Sequence, residues 1–304
     1  MKSELGKDEF LSLSDGRRLC WRSYGDPNGF PVVYCHGTPS CRLEAGFAEE
    51  AARDNGLWLI APDRPGFGRS DPAPGRNVAE FSADILAIAD KCGFERFGLA
   101  GYSGGGAYLF RCGAILPRRR LAFLAGFAPW ANVTSLDDLN ALDRAYTKLA
   151  RSLPQLNYLA FAPFALFARY WPSAFVALLQ RAVSPPDQAE MDNPATREAF
   201  KVMFAEAMRQ GSGALAQEAN LLYQVADPDA DAGPIQAPIR IAIGDADIFV
   251  PVSMVERAMI PHPNAELTVS PNKGHFAFDQ WHEVFANAVA AIRGASQDPP
   301  AIDP

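Results

Sequence analysis

Residues 97–106 read FGLAGYSGGG: an apolar run from Phe97 to Ala100, then Gly101-Tyr102-Ser103-Gly104-Gly105, then a helical pattern to about Leu116. A G-x-S-x-G sequence alone is an ordinary glycine turn. Between a buried strand and a helix it becomes a strand-to-helix elbow. Small flanking residues relieve backbone clashes there, and the serine hydroxyl stands at the C-terminal edge of a sheet, over the positive end of the helix. Ser103 is therefore the candidate nucleophile.

The same alternation extends on both sides. Phe10–Leu13 and Arg18–Tyr24 flank Ser14-Asp15-Gly16 as a hairpin, and Val32–Cys35 and Leu57–Ala61 are short buried runs. Apolar residues from Val78 to Ala89 fall at helical spacing, with Gly93 as the stop. Leu121–Phe127, Ile239–Ile243 and Leu267–Val269 complete eight strands, and Trp281–Arg293 is a last helix. Strands alternating with helices predict an α/β fold, a mostly parallel eight-stranded sheet covered on both faces.

Between residues 131 and 233 the pattern is helical throughout. Thr134 and Asp137 suggest a capping box ahead of Leu136, Leu139, Leu142 and Leu149; Asn193-Pro194 opens a helix that Gly211 closes, and another covers Leu215–Val225. The Asp-, Ala- and Pro-rich stretch 227–238 leads back to the sheet. The expected organisation is a discontinuous core, 1–130 and 234–304, with a helical insertion at 131–233 and a disordered tail after Gly294.

The chain of 304 residues carries a formal charge of −7, which argues against nucleic acid as a partner. Arg118–Arg120 reads as a solvated loop. Five cysteines without framework spacing fit a reducing compartment. No metal-ligand spacing accompanies Cys35-His36, so neither metal nor cofactor is expected. The polar N-terminus is unlike a signal peptide, and a cytoplasmic location is expected. The apolar stretch Tyr158–Leu179 is broken by Pro163, Arg169 and Pro172, so it reads as a helix pair rather than a membrane span.

A serine hydroxyl needs a base. Of the four histidines, His275 follows the last strand in Asn272-Lys273-Gly274-His275-Phe276, at the same sheet edge as Ser103. His262 lies between prolines, His282 starts the last helix, and His36 opens the turn His36-Gly37-Thr38-Pro39. An acid must orient the base, and both Asp245 and Asp247 sit in the loop after Ile239–Ile243.

These blocks, with Asp63–Ser70 (DRPGFGRS), resemble the α/β-hydrolase superfamily with a helical cap, across nearly the whole chain. The resemblance implies Asp247 as the acid, because it falls at the aspartate of G-x-x-D-x-x-x-P in Gly244–Pro251. It also implies the Thr38 and Gly104 N–H groups as the oxyanion hole. DRPGFGRS reads as structural, with glycines for a tight turn and Arg64 pairing with a carboxylate. Family-like caps turn an apolar face to the substrate, so Trp130, Phe164, Phe167 and Trp171 are pocket candidates. The expected activity is hydrolysis of a small-molecule carboxylic ester through an acyl-serine. The alternatives are carbon–carbon bond hydrolysis in aromatic-ring breakdown and ligand reception without turnover. The HGGPG loop of proline iminopeptidase-like enzymes is absent. The serine also argues against the aspartate-nucleophile epoxide hydrolases and haloalkane dehalogenases.

Overall fold

Eight strands, β1 (Asp8–Ser12), β2 (Arg18–Gly25), β3 (Phe30–Cys35), β4 (Leu57–Pro62), β5 (Phe97–Tyr102), β6 (Leu121–Phe127), β7 (Ile239–Gly244) and β8 (Ala265–Ser270), form one sheet. Their order is β1-β2-β4-β3-β5-β6-β7-β8. β2 runs antiparallel to both neighbours, and every later pairing is parallel. The computed structural model describes residues 5–131, 139, 144, 145, 147, 148, 152, 153, 156–223 and 234–295. The Thr134–Asp137 capping box, the stretch 227–233 and the tail from residue 296 lie outside these residues.

Every residue of β4, β5 and β6 is buried, as continuous apolar strands covered on both faces require. The covering helices are α1 (Glu49–Asp54), α2 (Phe81–Cys92), α3 (Gly105–Ile115), α9 (Val252–Met259) and α10 (Gln280–Ala295). α1 packs with α10, and α2 with α3. α2 begins at Phe81 rather than Val78. Asn77 Oδ1 accepts the Glu80 N–H (2.9 Å) while Glu80 Oε2 accepts the Asn77 N–H (3.1 Å), a reciprocal box that holds one preceding turn outside the helix. A short 3₁₀ helix, Arg42–Ala48, leads into α1.

Between β6 and β7 the described residues include the helices α4 (Asn157–Tyr170), α5 (Pro172–Ala182), α6 (Pro185–Asp192), α7 (Pro194–Ala207) and α8 (Gly213–Leu222). Asn193 caps α7 by accepting the Ala195 N–H at 2.9 Å, with Pro194 at the first helical position. The apolar stretch from Tyr158 is the pair α4–α5, bent by 115° at its break, and no single described helix is long and apolar enough to cross a membrane. These helices share a second apolar cluster with Cys41, Phe67 and Phe276 from the loops at the C-terminal sheet edge. That edge therefore faces helices rather than open solvent.

Candidate active site

Ser103 sits between β5 and α3 with φ +48°, a left-handed conformation that a residue with a side chain adopts only under constraint. The constraint is visible. The Ser103 N–H donates to Phe127 O (3.3 Å), and its carbonyl accepts from Gly106 N–H (2.8 Å) and Trp130 N–H (2.7 Å). A side chain at residue 105 would collide with the Cys35 carbonyl, so glycine there lets α3 start directly against β3.

Loops from the C-terminal ends of the parallel strands β3, β7 and β8 meet at this elbow. From the β8 loop, His275 brings Nε2 to 3.0 Å from Ser103 Oγ. From the β7 loop, Asp247 Oδ2 accepts the His275 Nδ1–H at 2.7 Å. Asp247 Oδ1 is occupied by the N–H groups of Phe249 (2.8 Å) and Val250 (2.9 Å). Asp245 points elsewhere, accepting the Asn272 N–H at 2.7 Å. Burial opposes charge on His275. The nearby Asp247 carboxylate outweighs it through charge and hydrogen bond, with Asp187 and Glu44 adding to the effect, and the imidazole titrates above its ordinary value. Chemically, such a chain draws the serine proton toward Nε2 and stabilises the imidazolium that results.

From the β3 loop, Thr38 lies against Gly104: a side chain on residue 104 would run into the Thr38 side chain and backbone. Among the described residues no acceptor takes the N–H of Thr38 or Gly104, so both are free to meet a developing oxyanion. His36 is a packing residue. Fully buried, it donates from Nδ1 to Gly37 O (2.8 Å) and accepts the Arg64 N–H at Nε2 (3.1 Å). Burial and the Arg64 charge hold it neutral, well below the ordinary histidine range. His262 accepts the Ile235 N–H at 3.2 Å, and His282 is exposed beside Asp54.

The site opens into a cavity of about 280 Å³ lined by Ser103, His275, Thr38 and a shell of apolar side chains. Trp130 and Phe164 are in that shell. Phe167 is not: its ring packs edge-on against Phe175 at 5.9 Å. Trp171 is 61% exposed, because α4 ends at Tyr170 and the break turns the indole outward, edge-on to Tyr170. Phe161, Phe175, Phe200, Phe204, Phe249, Phe276 and Phe278 line the cavity instead.

Glu44 also lines it. Only 2% exposed, it accepts at Oε1 from the Gly37 N–H (2.7 Å) and Tyr34 OH (3.2 Å), and burial pushes its carboxyl up to about 7. The folded protein thus retains a proton that the unfolded chain releases above the ordinary 4.5. Its contribution is greatest at low pH and is lost as pH rises through about 7, by at most about 1.4 kcal/mol per pH unit. His275, also raised, acts in the same sense. Glu44→Gln keeps the acceptor without the titration, so urea unfolding between about pH 5 and about pH 8 should show a flatter stability profile than the parent. Parallel profiles would show that Glu44 does not titrate in that window.

Carboxylates on the inserted helices hold the loops of the site. Asp187 of α6 accepts the N–H groups of His275 (3.1 Å) and Phe276 (2.6 Å), and glycine at 274 leaves room for it. Glu218 of α8 accepts from Thr38 Oγ1 (2.5 Å) and from both Arg64 Nε (2.8 Å) and Nη2 (2.7 Å), as well as Tyr108 OH (2.7 Å). Burial opposes the charge on Glu218, but Arg64, aided by Arg76, holds it at about 2. Glu206 of α7 meets Arg42, which also binds Asp63 and Asp8. The carboxylate expected for Arg64 is thus Glu218, 154 residues along the chain. Sequence reasoning named none of Glu44, Asp187, Glu206 or Glu218. For Asp187, Glu206 and Glu218 no local pattern marks an acid whose partners are this distant.

The profile of the Alpha/beta hydrolase family matches residues 32–288. The chain belongs to that hydrolase family. A thermophilic esterase from Thermogutta terrifontis superposes with TM-score 0.66 at 21% identity, covering 96% of this chain and 98% of that one, a likeness of fold. A 2-hydroxy-6-oxononadienedioate/2-hydroxy-6-oxononatrienedioate hydrolase from a Pseudomonas species is 25% identical over 92% of this chain and 93% of its own. The non-heme chloroperoxidase of Streptomyces lividans is 30% identical over 33% of this chain, and the match spans only 37% of that relative's length.

Proposed function

We propose that this hydrolase cleaves carboxylic esters with an apolar or aromatic portion through an acyl-serine intermediate. The observation that carries the reading is the chain Ser103 Oγ, His275 Nε2 (3.0 Å), His275 Nδ1, Asp247 Oδ2 (2.7 Å) at the mouth of an aromatic-lined cavity. In this reading Ser103 attacks the carbonyl, and His275 takes its proton and returns it to the leaving alcohol. Asp247 holds the imidazole, and the Thr38 and Gly104 N–H groups bind the oxyanion. A water activated by His275 then releases the acid. The helices α4–α8 act as a cap, the larger insertion spanning 131–233. Five unpaired cysteines fit a reducing, cytoplasmic setting.

Carbon–carbon hydrolysis is the second reading, favoured by the full-length likeness to the dioate hydrolase. A dioate carries two carboxylates, yet among the described cavity residues there is no lysine or arginine, and Glu44 adds a carboxyl. Burying carboxylates without cations is costly, which favours a neutral ester. Ligand reception without turnover predicts one acylation and no repeated release.

A panel of p-nitrophenyl esters tests the proposal. Aromatic and medium-chain esters should give lower KM than acetate, with repeated turnover. Phe164→Gln should raise KM roughly tenfold with kcat within a few-fold, because it removes binding shared by ground and transition states. A profile peaking at acetate and unmoved by Phe164→Gln would sink the apolar-substrate reading.

A further inference from the structure

Of fifteen exposed large hydrophobic side chains among the described residues, eight fall between residues 153 and 178. The outer faces of α4 and α5 carry Leu159 (72% exposed), Leu166, Tyr170 and Leu178, with Trp171 exposed at the break between them. Their inner faces are equally apolar: Phe161, Phe164, Phe175 and Leu179 line the cavity. A helix apolar on both faces is normally covered on both. Here one face covers the cavity and the other meets solvent, forming the kind of apolar patch that marks an interaction surface.

Charge indicates the occupant. The chain as a whole is acidic, with 35 Asp and Glu against 28 Lys and Arg. From residue 144 to 186 there is no Asp or Glu, while Arg144, Lys148, Arg151, Arg169 and Arg181 are present. Arg169 and Arg181 lie on the exposed side of α4 and α5. A second copy of this face would bring arginines against arginines, while the nearest carboxylates, Asp192, Glu198 and Glu206 on the neighbouring helices, already meet Gln180, Lys201, and Arg42 with Arg69. A surface of anionic headgroups supplies the missing charge, while tyrosine and tryptophan suit its interfacial layer and arginine stems lie along apolar groups. The helices are 14 and 11 residues long, about 21 and 16 Å, and bent by 115°; each is too short for a bilayer core and suited to lying in the interface.

We propose that the outer face of α4–α5 docks on anionic lipid surfaces. Resting on the proposed ester hydrolysis, it follows that the substrates are lipophilic esters drawn from that surface into the cavity beneath. Apolar esters concentrate in lipid, and the same two helices form both the docking face and the cavity wall.

The docking step is tested without turnover, using Ser103→Ala protein in flotation with phosphatidylcholine vesicles, with and without a minority of phosphatidylglycerol. Binding should be roughly tenfold or more tighter to the anionic vesicles and weaken with salt. The double variant Leu159→Glu/Trp171→Glu changes only exposed positions and should retain the parent's circular dichroism and Tm while losing vesicle binding. No flotation with either vesicle, or equal flotation of the double variant, would overturn the proposal. So would a concentration-dependent dimer of the parent that the variant abolishes, because a second copy would then cover the face. Should Ser103 fail to acylate in the parent, the hydrolytic reading falls while flotation still decides the docking.

Discussion

Ser103→Ala is expected to fold as the parent does and to form no adduct with a fluorophosphonate, while the parent takes up one adduct per chain. Its kcat on the best p-nitrophenyl ester should fall about a millionfold, the scale on which other serine hydrolases lose turnover without their nucleophile. The change removes one atom. Alanine keeps the Cβ, so the φ of +48° and the backbone bonds to Phe127, Gly106 and Trp130 are undisturbed. What disappears is the oxygen 3.0 Å from His275 Nε2. Thr38 and Gly104 would still polarise a bound carbonyl, and residual hydrolysis should come from that hole alone. Intact-mass spectrometry decides the assignment: an adduct on the alanine protein would place the nucleophile elsewhere.

The elbow was legible because local chemistry determines it. Only glycine tolerates the contacts at residues 101, 104, 105 and 106, and the flanking strand and helix have their own periodicities. The buried strands β3 to β7 were legible for a related reason, since strands covered on both faces are apolar at every position. Two kinds of feature were not. Short elements such as α1 and α9, with six and eight residues, carry too few turns for a helical period to stand out. Tertiary acids were the other kind. Asp187, Glu206 and Glu218 lie on helices whose sequence resembles any solvated face, and only folding brings them against His275, Arg42 and Arg64. The cap aromatics show the same limit: Phe164 and Phe167 differ by three positions on one helix. The first reaches the cavity, while the second stays in the helix–helix seam with Phe175. Trp171 followed the apolar pattern, but the break before Pro172 reversed its direction.

Asp247→Asn and Asp245→Asn, two residues apart in one loop, should differ in effect by about four orders of magnitude in kcat, by analogy with the trypsin-type triad. The N–H groups of Phe249 and Val250 both donate to Asp247 Oδ1, so an asparagine must keep its carbonyl there. Its amide group then replaces Oδ2, 2.7 Å from His275 Nδ1, and two donors cannot face each other. The imidazole escapes by moving its proton to Nε2. In that tautomer Nε2 donates toward Ser103 Oγ instead of accepting from it, and the serine proton has nowhere to go. Loss of the carboxylate charge should also lower the His275 pKa, shifting the acid limb of kcat/KM to lower pH. At Asp245 the single bond from the Asn272 N–H can be kept by the asparagine carbonyl. Turnover there should stay within about threefold of the parent, since no reacting atom is touched. Equal and mild losses from both changes, or an unmoved acid limb in Asp247→Asn, would mean that His275 is oriented by something other than Asp247.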